Sequence, residues 1–156
     1  MAFGPRAYSS NGTAASGTNK GVLLLGGVTT TRPGIYDIIL GVAASAAPAD
    51  VALGLELIRT TADGTGASAG DDVALDEASP AALADTLQGA WTAEPTKTAA
   101  GIMLTMPMNS RATFRWVAAP GSEIMLDATA TDGLLINSLA TNGGTPDVVA
   151  TMLWKE

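Results

Sequence analysis

The sequence predicts an all-β fold, an antiparallel sandwich of two sheets. Three observations carry that prediction. Much of the chain falls into short runs rich in branched and aromatic residues, the types that suit a pleated, half-buried surface. Gly, Pro, Asn and Asp separate those runs at the spacing of strand turns. Within several runs apolar residues recur at every second position, the period of a strand with one face buried.

Residues 1–31 are the exception. Ser9 to Asn19 is almost wholly small and polar, too poor in apolar area to offset its ordering entropy. The segment reads as an extended N-terminal arm, flexible or ordered by a partner and anchored in part by the Val22 to Leu25 patch, with a ragged terminus carrying one added edge strand as the plainer reading. Phe3, Arg6, Tyr8 and Lys20 are its candidate anchors on a partner surface.

Residues 32–156 read as the sandwich domain. Ile35 to Leu40 is a strand of branched residues. From Val51 onward, Val51, Leu53, Leu55 and Leu57 share one face, and Ala52, Gly54, Glu56 and Ile58 share the other. Thr65 to Glu77 is Gly-, Ala- and Asp-rich and reads as a long surface loop. Ser79 to Leu87 gives the one helix signal: Ser79 suits an N-cap, Pro80 the first helical position, and Leu83 and Leu87 lie four apart. Ile102 to Met108 alternates, and Pro107, which cannot donate to a ladder, makes the strand an edge there or ends it. In Thr113 to Val117, Phe114 and Trp116 face the core while Arg115 and Val117 face out. Ile124 to Asp127, Leu134 to Leu139 and Asp147 to Lys155 complete the set, the last with Val148, Ala150, Met152 and Trp154 on one face. About eight strands with one short helix in a crossover fit a jelly-roll-like sandwich best, and an immunoglobulin-like sandwich second. The chain shows no long internal repeat of the propeller or solenoid kind.

Composition narrows the function. There is no histidine and no cysteine. The chain therefore lacks the side chain that titrates near neutrality, and the thiol that attacks, ligates or cross-links. A cysteine-free chain fits synthesis in a reducing cytosol. Charged residues are 15% of the total, against about 25% in ordinary soluble domains. Part of the surface is therefore expected to be covered by copies of the chain or by a partner. A net charge of −7 disfavours nucleic acid and anionic membrane as partners. The apolar run Val22 to Val28 is too short to cross a bilayer, and no leader pattern is evident.

The remaining chemical candidates are weak. Asp71, Asp72, Asp76 and Glu77 form an acidic loop whose spacing matches no cation-binding motif. Asp37, Glu56, Glu94, Glu123 and Asp127 could supply a carboxylate pair for glycoside cleavage, but aromatics are only 4% of the chain, few for a sugar cleft. Arg111, Arg115 and Trp116 could form a recognition patch, although strand alternation alone accounts for them. No catalytic residue, metal or other cofactor is expected, and the chain is read as no enzyme.

Arg111 to Ala130, reading RATFRWVAAPGSEIMLDATA, resembles the small head decoration, or cement, proteins of tailed bacteriophages. The resemblance extends to Ala93 to Ala99 and to Leu57 to Thr61, and it covers roughly residues 34–156. It implies a jelly-roll homotrimer on the exterior of the virion capsid, made in the host cytoplasm, that locks major capsid protein subunits together. It carries no catalytic residues. The alternative is a carbohydrate- or host-binding virion module using a pocket near Arg111, Arg115 or the acidic loop.

Overall fold

The computed structural model describes residues 6–43, 50–139 and 144–156. Phe3 lies outside the described residues. Twelve strands form two antiparallel sheets, and among the described residues there is no helix. The strands are β1 (Ala7–Ala15), β2 (Lys20–Gly26), β3 (Gly34–Ala43), β4 (Ala52–Ala62), β5 (Ser68–Ala69), β6 (Val73–Ala74), β7 (Thr86–Gln88), β8 (Thr96–Asn109), β9 (Phe114–Val117), β10 (Ile124–Met125), β11 (Gly133–Ser138) and β12 (Asp147–Lys155).

The first sheet runs β10–β3–β12–β1–β6, with β9 also paired to β3; the second runs β5–β7–β2–β11–β4–β8. Set aside the short β5, β6 and β7, and count β9 and β10 as one interrupted strand. The principal strands then stand first–last–third–sixth in one sheet and second–seventh–fourth–fifth in the other. This is the order of two interlocked Greek keys, a jelly roll. The sequence expectation of an all-β, jelly-roll-like sandwich holds.

The core lies between the sheets and follows the expected alternation. Leu53, Leu55 and Leu57 of β4 face Val148, Ala150, Met152 and Trp154 of β12 within one apolar cluster. Phe114 and Trp116 pack partly buried against it, with Arg115 and Val117 outward. Pro107 sits on β8, which is an edge strand as its missing N–H requires. A second cluster lies on the outer face of the second sheet, where Leu24, Ile58 and Leu135 are covered by Trp91, with Ala67 and Leu87 beside it. The Trp91 indole N–H donates to the Asp63 carbonyl at 2.9 Å, and Thr65 pairs with Ala93. The stretch from Asp63 to Ala93 is therefore in part a packed cover, although the sequence reads Thr65 to Glu77 within it as a surface loop and Ser79 to Leu87 as a helix. It leaves β11 buried on both faces, which explains the unbroken apolar run Leu134-Leu135-Ile136.

Two expectations fail. Residues 7–26 are not a separable arm. β1 lies between β12 and β6 and pairs with β12 from Ala7↔Lys155 to Ala15↔Asp147. β2 lies between β11 and β7. Residues Ser79 to Leu87 form no helix. Leu83 is 53% exposed, the Leu83 and Ala84 N–H groups donate to the Glu156 carboxylate, and Thr86 onward joins β2 as β7. A stretch this short cannot offset helix nucleation without tertiary support, and here the tertiary partners hold it extended.

Candidate functional site

The predicted anchors do not converge. Arg6 uses its backbone, donating to and accepting from Glu156 at 3.0 Å in each direction. Tyr8 is fully buried: its ring stacks on Trp154 with centroids 4.7 Å apart, and its hydroxyl donates to the Pro80 carbonyl at 3.1 Å. Burial also pushes its phenol pKa up, with the Glu156 charge adding to the shift. It is a core residue and not a surface anchor. Lys20 stands beyond the other end of β1, roughly 30 Å from Arg6 by strand geometry, and pairs with Glu94 at 3.2 Å.

Several of the other sequence candidates are held in structural contacts, while Asp71 and Glu77 lie exposed on their loop. Asp72 turns inward from the acidic loop and accepts hydrogen bonds from the Ser10 hydroxyl, the Thr86 hydroxyl at 2.7 Å and the Thr86 N–H at 3.1 Å. Asp76 accepts from the Ala78 N–H at 3.0 Å, tying its own turn. Asp37, only 4% exposed, takes both arms of the Arg115 guanidinium, at 3.1 and 2.6 Å. That hydrogen bonding and the Asp37 charge raise the Arg115 pKa above its ordinary value. Glu56 accepts from the Asn137 amide at 2.8 Å on the covered face of the second sheet. Glu123 accepts from Lys155 at 2.6 Å, which holds its carboxyl below the usual range, and Asp127 pairs with Arg32 at 3.2 Å. Each of the carboxylates so held has its own dedicated donor. Among the described residues no group of three or more acids forms a metal-type cluster.

One end of the sandwich carries a cleft of about 600 Å³. The end of β1, the following turn and the start of β2 make one wall, with Thr13, Ser16 and Lys20. Trp91 and Glu94 make a second wall, and Asp147 at the start of β12 stands across from them. The turn is tight, with Asn19 at φ 60°, a conformation that an Asn tolerates. It is pinned by the Ser16 N–H donating to the Pro146 carbonyl at 2.9 Å and the Gly17 N–H donating to the Ser138 hydroxyl at 3.1 Å. Gly21 is small of necessity, since a Cβ there would sit 2.7 Å from the Trp91 ring. Its N–H donates to Glu94 at 2.8 Å, so Glu94 holds both Gly21 and Lys20. Ala90 has φ 39°, a left-handed backbone that is uncommon for a residue with a side chain. Ser16 is 3% exposed, and its hydroxyl has no hydrogen-bond partner.

The sequence marked Lys20 and Glu94 but not their meeting. Three segments separated along the chain build the cleft, and no local pattern joins them. Comparison of this chain with protein-family models, with curated proteins and with solved structures returned no match.

Proposed function

We propose that this chain is a structural, non-enzymatic virion protein that binds the outer surface of a phage capsid as a homotrimer and stabilises contacts between major capsid subunits. The observation that carries the reading is the placement of the segment that resembles head decoration proteins. FRWVAAPG, Phe114 to Gly121, forms β9 and its following turn at the margin of the first sheet. Val117 there is 54% exposed, and the turn from Ala119 to Ser122 is open to solvent. Phe114 and Trp116 of the string pack against the core and Arg115 is held by Asp37, while Val117 and the turn after it stand outward and are available to a partner. The jelly roll adds support by analogy, since the fold recurs in viral shells as well as in lectins. The low charge density is consistent with a surface that assembly covers.

The test has two parts. Light scattering on the purified chain should return three times the monomer mass. Expanded heads lacking the protein should bind it saturably and withstand higher temperature afterwards. A monomer that leaves heads bare and no more heat-resistant would remove the proposal.

A further inference from the structure

We propose that the cleft between the β1–β2 turn, Trp91 and Asp147 binds a neutral sugar, of mono- or disaccharide size. Its volume of about 600 Å³ falls within the range of small-ligand sites, roughly 300–1,000 Å³. The Ser16 hydroxyl is the first reason. A buried hydroxyl without a partner is costly, and native structures rarely leave one so. Ser16 lines the cleft, so a turn of its side chain toward the opening would let a ligand hydroxyl supply the missing hydrogen bond.

The charge around the cleft is the second reason. Lys20 and Glu94 offset each other, and Lys97, which donates to the Asn19 carbonyl of the same turn at 3.0 Å, offsets the exposed carboxylate of Asp147. That balance favours neither phosphates and organic acids nor cations. Carboxylates in this setting accept from neighbouring hydroxyls, and Lys20 keeps donors beyond the one that faces Glu94. A polyhydroxylated neutral ligand matches both sets of groups. Thr13 adds a further hydroxyl. The rim of the otherwise buried Trp91 ring, 7% exposed, and the Ala14 and Ala15 side chains provide the apolar patch that a sugar's C–H face requires. The walls are strands and a pinned turn, so little ordering accompanies binding. This site lies away from Arg115 and Asp72, where the sequence had placed a sugar pocket and where the side chains already hold each other.

The inference is independent of the capsid reading, because its test uses the free full-length chain. Saturation-transfer NMR and calorimetry would be run with methyl glycosides of glucose, galactose, mannose and N-acetylglucosamine, and with maltose and lactose. Spermidine and inorganic phosphate serve as charged controls. At least one sugar should bind, with amide shifts concentrated at Ser16, Gly17 and Gly21. Ala15→Trp, an exposed rim position, should weaken binding at least tenfold without lowering the melting temperature. Asp147→Asn should weaken it at least threefold. Four results would each overturn the inference: no sugar bound, spermidine or phosphate bound in preference, shifts centred elsewhere, or affinity unchanged in both variants.

Discussion

Tyr8 shows what one side chain does when its surroundings differ from its sequence context. It sits in a run of small polar residues, yet its ring stacks on Trp154 and its hydroxyl reaches across to Pro80. Tyr8→Phe keeps the stack and loses one hydrogen bond, which should cost about 1 kcal/mol. Tyr8→Ala also empties the ring's volume and should cost about 3–5 kcal/mol. Denaturant titration of both variants separates the two contributions. Two acids carry opposite pH signatures. Burial raises the Asp63 carboxyl above its ordinary value, and its Oδ1 has no partner. The folded state thus holds that proton more tightly, and stability falls as pH rises from the ordinary aspartate value through the raised folded one. Asp63→Asn should therefore raise the melting temperature at neutral pH and change nothing in strong acid. Glu123 is depressed, chiefly by its hydrogen bond from Lys155. Its contribution is present above the ordinary glutamate value and is lost as pH falls through the lowered folded one. Glu123→Gln should lower the melting temperature at neutral pH and converge with the parent in acid. Melting curves across pH that fail to diverge in these opposite directions would refute the assignment.

At the scale of elements, β1 is the strand most at odds with the sequence. Its inward positions are Tyr8, Ser10, Gly12 and Ala14. After Tyr8 they are small because the other sheet is close: a Cβ on Gly12 would lie 3.0 Å from the Val22 carbonyl and 3.1 Å from the Leu23 side chain. Period two is present, but it is written in serine, glycine and alanine, and so is indistinguishable from a polar linker. Of the strands that were legible, β4, β8 and β12 write the same period in leucine, isoleucine, valine and methionine, and β3 is marked by its branched residues. The helix expectation failed for a related reason. The caps and the leucine pair of Ser79 to Leu87 are local signals, whereas Glu156, which holds that stretch, lies at the far end of the chain. The cleft was illegible on the same ground, since Ser16, Trp91 and Asp147 meet only after both sheets close. It follows that a chain beginning at residue 21 lacks a central strand of the first sheet. It should show no cooperative unfolding by circular dichroism, in contrast to a domain with a dispensable arm.

The whole molecule places its polar groups economically. The Arg115–Asp37 pair ties β9 to β3, the Lys155–Glu123 pair links β12 to the turn before β10 across β3, and a packed segment covers the outside of the second sheet. Val117 remains a large apolar side chain exposed at the margin of the first sheet. If that margin meets a capsid, Val117→Lys should weaken head attachment by tenfold or more. Its effect on folding stability should stay within about 0.5 kcal/mol, as for other surface substitutions. Binding assays on heads, read beside melting curves, separate the two effects; attachment unaltered by the lysine would move the contact elsewhere.

The Arg6–Glu156 backbone pair has a practical consequence for anyone who would engineer the chain. A peptide grafted beyond Glu156 would emerge beside residue 6, at the same corner of the molecule. A short linker bridging that corner would allow the polypeptide to be opened elsewhere, at an exposed turn such as Ala119 to Ser122, with the order of both sheets preserved.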